Sequence, residues 1–226
     1  MQEVIIKNFG PIANFRMGIK EFLVLIGPQA SGKSTIGKSI YFFKSLRDDL
    51  IRYIFDSIQQ KSFNKPLGTY GKLIRKKFLD FWGPTQHLSN IFLECHYKKD
   101  VSITITLEEN GKYVSPTFSS ALKEGVLEIV NEAQSFIAET EKRDPAFLSS
   151  SDLLAIESGK RAFFKRTEEN ANRLFDDHKD LIYIPAARSL LATLSDHLPM
   201  IHPHHLDYLM KAFLDRINNS KPLFNK

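Results

Sequence analysis

The sequence predicts an α/β fold built around a phosphate-binding loop, and three observations predict it. An apolar run, Phe22 to Ile26, leads into Gly27-Pro28-Gln29-Ala30-Ser31-Gly32-Lys33-Ser34, and a helical pattern leaves it. Apolar residues alternate at Ile91, Leu93, Cys95 and Tyr97, and again at Val101, Ile103, Ile105 and Leu107, the period of strands with one buried face. Leu122, Val126, Ile129, Val130, Ala133, Phe136 and Ile137 follow the 3.6-residue period of an amphipathic helix.

Taken in order, Val4-Ile5-Ile6 reads as a short strand closed by the turn Asn8-Phe9-Gly10-Pro11. Phe15, Met17 and Ile19 alternate with polar or small residues, predicting a second strand. Phe22 to Ile26 is continuous, the signature of a strand buried on both faces. One helix is expected after the loop through about Phe43, and another over Leu46 to Gln59. Residues 61–82 begin loop-like and end as a helix with Leu73, Ile74, Phe78, Phe81 and Trp82 on one face. Asn110-Gly111 marks a hairpin between the strand ending at Leu107 and one over Tyr113 to Phe118. Residues 119–178 read as two helices interrupted at Asp144-Pro145. Leu181-Ile182-Tyr183-Ile184 reads as a buried strand stopped by Pro185, with helices resuming at Ser189 and near His205 to Ile217.

Composition bounds the rest. The chain has 226 residues, 42% of them hydrophobic and 25% charged, enough for one domain with an insertion and a real core. A net charge of +5 permits an anionic partner without demanding one. The single cysteine, Cys95, rules out an internal disulfide framework and suits a reducing compartment. Met1 to Gly10 carries Glu3 and lacks the apolar core of a signal peptide, and no run is long enough to span a bilayer. A cytoplasmic protein with no membrane contact is expected.

The loop matches GxxxxGK[ST] in full, with Thr35 following. Gly27 and Gly32 permit backbone conformations that a side chain blocks, so that successive N–H groups can turn inward around a phosphate. The helix N-terminus adds its positive dipole end. In this reading Pro28, Gln29, Ala30 and Ser31 supply the wall of the cradle. Lys33, the one residue given a catalytic role, reaches the β- and γ-phosphates. The Ser34 hydroxyl ligates Mg²⁺, and Thr35 meets the α-phosphate. The ligand so predicted is Mg-ATP. A GTP-binding protein needs a base-reading Asn-Lys-x-Asp, and Asn218-Asn219-Ser220-Lys221 does not match it.

The opening Ile6-Lys7-Asn8-Phe9-Gly10-Pro11-Ile12, the hairpin, and Leu23-Val24-Leu25-Ile26 running into the loop resemble the start of an ABC-type, SMC/RecF/OLD-like ATPase. The resemblance is strongest to bacterial AAA-family ATPases of the OLD-like kind, often found in phage defence. Tyr183-Ile184-Pro185-Ala186-Ala187-Arg188-Ser189 resembles their strand ending in YIPA-x-R-S. The resemblance is dense over 1–45 and 181–189; elsewhere only the order of elements is shared. It implies a P-loop NTPase of ABC/SMC type, with a mixed sheet, an antiparallel side sheet and an inserted helical arm. The implied division is 1–118 as ATP-binding lobe, 119–180 as arm, and 181–226 as return strand and helices. The implied function is Mg-ATP binding that drives a head-to-tail homodimer and controls a nuclease, a toxin or a DNA-bound partner.

Departures from the family pattern matter as much. Its return strand usually ends in Pro-Gln; here Pro185-Ala186 stands instead, with Arg188 the nearest polar substitute. A Walker B needs about four apolar strand residues before its acids, and none of the candidates qualifies: Asp48-Asp49 follow Ser-Leu-Arg, Asp176-Asp177 sit in a helical context, and Asp80 and Asp215 follow helical apolar pairs. Leu148-Ser149-Ser150-Ser151-Asp152 lacks the glycine of a signature motif and reads better as a helix cap. The chain alone is therefore expected to bind ATP without turning it over, as the N-terminal part of a longer ATPase or as a half that needs a partner. A nucleotide-stabilised interaction module without turnover is the alternative. A P-loop small-molecule kinase is a weaker one, because a hairpin precedes the loop.

Three further features carry weaker signals. His197, His202, His204 and His205 cluster with Asp196 and Asp207, but Pro199 and Pro203 break the geometry zinc needs, and a polar surface loop is preferred. Lys61, Lys65, Lys72, Arg75, Lys76 and Lys77, interleaved with Phe63, Tyr70 and Trp82, read as a solvated basic face over core or as a nucleic-acid contact. Gly159-Lys160 has Leu154 where a second loop would need glycine, and reads as helix surface.

Overall fold

The computed structural model describes residues 1–108, 113–141, 150–185 and 207–224. Strands β1 (Glu3–Phe9) and β2 (Ile12–Gly18) form the N-terminal hairpin. Phe9 pairs with Ile12 across a two-residue turn, and Gly10 takes φ +57°, the left-handed conformation such turns require. Helices α1 (Lys33–Gln59) and α2 (Pro66–Trp82) follow, then β3 (Phe92–His96), β4 (Ser102–Leu107) and β5 (Val114–Phe118). Helices α3 (Ser120–Glu141), α4 (Ser150–Phe175) and α5 (Tyr208–Phe224) complete the described chain.

The five strands form one sheet in the order β2-β1-β3-β4-β5, antiparallel throughout. Because side chains alternate across a strand, Val4, Ile6, Leu93, Cys95, Ile103 and Ile105 share one face, and all six are fully buried. Exposed Lys7, Arg16 and Thr117 lie on the opposite face. The apolar face is covered by Phe42, Phe43, Leu46 and Leu50 of α1, Ile74 and Phe78 of α2, and Leu122, Val126 and Val130 of α3, in one continuous core. Tyr97 and Tyr70 are wholly buried and donate their hydroxyls to the carbonyls of Phe43 and Leu46, so neither polar tip is left unpaired. Helix α4 runs antiparallel to α3: Phe163 stacks on Phe136, and Asn170 donates to Glu132.

Several expectations are corrected. Among the described residues the sheet is not mixed, because neither Phe22–Ile26 nor Leu181–Ile184 forms a strand. A strand needs a hydrogen-bonded neighbour, and no strand pairs with either segment. Both leave large apolar side chains in water: Phe22 is 81% exposed and Ile26 92%, and Ile182 and Ile184 are more than half exposed. The two helices expected over 33–59 are one, since Lys44-Ser45 contains no breaker and the Ser45 hydroxyl satisfies itself on the Phe42 carbonyl within the helix. Leu73 lies off the buried face of α2 and is exposed. The Asn110-Gly111 turn, the Asp144-Pro145 break, Arg188 and the His197–His205 cluster fall outside the described residues.

Candidate nucleotide site

The β1–β2 turn sets the position of the loop. Gly32 sits directly against it, buried, at φ +90° and ψ 5°. A Cβ on Gly32 would stand 2.7 Å from Cγ1 of Ile12 and 3.3 Å from Cγ of Pro11, so both backbone angle and space demand glycine. Gly10 lies over Thr35 from the other side of the same turn. The resemblance-bearing segments 8–12 and 27–35 are thus one packed unit. Ala30 also takes positive φ, +62°, an uncommon conformation for a residue with a Cβ.

Helix α1 begins at Lys33 with no capping side chain, its N-cap position being Gly32, and with no acid in its first turn. Its first backbone N–H groups therefore lack the side-chain acceptor that most helices supply. Ser34 is exposed at this end, and Thr35 is half-buried beneath Gly10. Lys33 turns back over the loop, its Nζ donating to the carbonyls of Gly27 at 2.7 Å and Pro28 at 2.5 Å, and to Ser31 Oγ at 3.3 Å. All three partners are neutral oxygens. An ammonium held only by neutral acceptors, beside uncapped helix donors, is a site with unbalanced positive charge. Its natural complement is a polyanion. These residues fit a nucleotide's phosphates: Gly27 to Lys33 would cradle them, and Ser34 offers an exposed hydroxyl at the start of the helix for an attendant Mg²⁺.

A second cluster that sequence reasoning missed holds the return segment in place. Arg47 is 5% exposed and donates to the carbonyls of Asp177 at 2.9 Å and Lys179 at 3.1 Å, while also pairing with Asp48. Lys44 pairs with the Asp177 carboxylate at 2.5 Å. Burial alone would raise the Asp177 pKa, but the bonds from Lys44 and the Lys179 N–H outweigh it and hold the carboxyl below its usual range. Gln2 donates to the carbonyls of Phe175 and Asp176. The end of α4 is thus clamped to the helix that starts at Lys33. Beyond it, Lys179 pairs with Glu21 at 2.7 Å and Tyr183 packs on Tyr41, so residues 179–183 run alongside the approach to the loop. The available signal was a pair of cations, Lys44 and Arg47, set within the apolar stretch of α1.

A cleft of about 720 Å³ lies elsewhere, between Tyr41, Asp49, Lys77, Tyr183, Tyr208 and Arg216. It includes no loop residue. Its Lys77 is already paired with Asp49 at 2.5 Å, and burial pushes the Tyr208 phenol up to about 12, too high for acid–base work near neutrality. The chemistry of the loop, not cavity size, marks the site.

Comparison with known proteins agrees with a nucleotide site. The model of the family described as AAA_15, AAA ATPase domain, matches residues 1–222. No curated protein matches the chain, and no solved structure does. Among the described residues no helix is long and apolar enough to cross a membrane.

Proposed function

The chain belongs to the AAA ATPase domain family, and from that premise we propose that residues Gly27 to Thr35 bind Mg-ATP in the manner of OLD- and SMC-like ATPases. One observation supports this above others: the buried, left-handed Gly32 delivers an uncapped helix N-terminus and Lys33 to the same exposed loop. Lys33 supplies the charge that meets the β- and γ-phosphates, and the Ser34 hydroxyl holds Mg²⁺, which when bound neutralises the phosphates.

In this reading ATP draws two copies together head to tail, and the resulting dimer controls a nuclease, a toxin or a DNA-bound partner, as in phage-defence systems. Turnover needs a carboxylate to orient water. None of Asp48, Asp49, Asp80, Asp176, Asp177 and Asp215 follows an apolar strand, and the partners of Lys33 are all neutral. In this reading a partner chain supplies the carboxylate. A nucleotide-stabilised interaction module without turnover rests on the same observation.

Titration with a fluorescent ATP analogue tests the site. Lys33→Ala removes one charge-assisted contact, worth about 2–4 kcal/mol, so affinity falls at least roughly tenfold. Unchanged affinity overturns the assignment. ATP should compete at least as well as GTP. Phosphate release by residues 1–226 should be no faster than by the Lys33→Ala variant, and robust Lys33-dependent turnover would show that an acid within the chain activates water.

A further inference from the structure

Six cations, Lys61, Lys65, Lys72, Arg75, Lys76 and Lys77, fall within residues 61–79 without a single acid among them. The chain has a net charge of +5. That one segment therefore carries the whole positive surplus, and the remainder of the protein is close to neutral. Lys77 is spent internally on Asp49. Lys65, Lys72 and Lys76 are exposed, and they recur at seven and eleven residues, which places them along one side of α2 and its N-cap.

The aromatics that interleave these cations in sequence point the other way. Tyr70 is buried against Phe118, and Trp82 packs among Phe9, Phe42 and Phe78. A different aromatic stands on the cationic side: Tyr113, just before edge strand β5, is 57% exposed, and the Arg75 guanidinium lies 5.0 Å over its ring. The exposed Tyr113 ring and a row of lysines form one surface.

We propose that this surface, α2 with Tyr113, binds single-stranded nucleic acid: Lys65, Lys72 and Lys76 track the phosphates, and an unstacked base lies on Tyr113 beside Arg75. Phosphate contact gives affinity without sequence preference, and a ring flanked by a guanidinium is a stacking platform open to any base. A duplex keeps its bases stacked inside and has nothing to offer the tyrosine. The site is separate from the nucleotide loop and does not rest on it.

Fluorescence anisotropy with labelled oligo(dT) of about 20 nucleotides, a length covering one or more single-strand sites, tests this on the full chain. Binding should weaken steeply between about 50 and 200 mM salt. Lys72→Glu with Lys76→Glu should weaken it at least tenfold and flatten the salt dependence. Tyr113→Ala should weaken single-strand binding several-fold with the salt slope unchanged. Lys99→Glu, an exposed charge reversal off this surface, should do nothing, and circular dichroism confirms that each variant is folded. Absence of binding at low salt overturns the proposal. So does binding that Lys99→Glu weakens as much as the paired reversal, or equal affinity for blunt duplex that is indifferent to Tyr113→Ala.

Discussion

Strand β3 and the segment Phe22–Ile26 carry similar apolar weight, yet Leu93 and Cys95 are fully buried while Val24 is 59% exposed and Ile26 92%. The difference lies in partners. Strand β3 pairs with β1 on one edge and β4 on the other, and its inner side chains meet α1. Among the described residues Phe22–Ile26 has no paired strand, so none of them fixes which of its faces is inside. Alternation in a sequence already states where the core must be. A continuous run states only that cover is needed on both sides, and leaves open what provides it.

The largest expected effect tests that contrast directly. Phe42 is fully buried among Phe43, Phe78, Phe81 and Trp82, so Phe42→Ala should cost about 3–5 kcal/mol in urea unfolding. Ile26→Ser should stay within about 0.5 kcal/mol of the parent chain. If both destabilise alike, the segment before the loop is buried in solution and the contrast collapses.

A pair of glycines sharpens it further. Gly32→Ala forces a Cβ against Ile12 at positive φ, and should cost about 1–3 kcal/mol and abolish binding of the ATP analogue. Gly37, in the second turn of α1, meets nothing within 4 Å of its would-be Cβ, and Gly37→Ala should stabilise α1 by up to about 1 kcal/mol. Thermal melts with parallel titrations separate the two. Equal behaviour would mean that the loop's conformation does not depend on the β1–β2 turn.

The smallest effect is read against pH. The Asp177 carboxyl titrates lower in the folded chain than in the unfolded one. Its contribution is therefore present above the ordinary carboxylate range and is lost as pH falls through the depressed folded value. Urea melts between about pH 5 and pH 3 should show stability falling with pH, and Lys44→Met should make that fall shallower. An identical pH profile in the variant would remove the clamp on α4 from the account.

Much of this architecture was legible in the residues. The alternations at 91–97 and 101–107 place β3 and β4, and the buried positions of α3 follow from their 3.6-residue period. The helix leaving the loop was legible too, although its continuity through Lys44 and Ser45 was not, because two polar residues on an apolar stretch look like a boundary when their partners are unknown. The partner of Ser45 is the local Phe42 carbonyl, but that of Lys44, Asp177, lies 133 positions away, where no local pattern reports it. The same is true of Tyr113: nothing in its own neighbourhood says that Arg75 will cover its ring. Within the candidate site the motif named the residues, and the structure adds why Gly32 must be glycine, through contact with Pro11 and Ile12.

The pairing of β1 with β3 has a consequence for how this chain is made. Val4 lies opposite Cys95, so the inner edge of the N-terminal hairpin has no mate until some ninety further residues have been synthesised. At ribosomal speeds that interval is roughly 5–20 s. Through it the nascent hairpin presents Val4 and Ile6 along an open edge, the kind of template on which unfinished chains pair with each other. Helix α1, whose backbone hydrogen bonds are local, can form early and shield that apolar face. The same helix that positions Lys33 would then serve first as the hairpin's chaperone, before any nucleotide meets it.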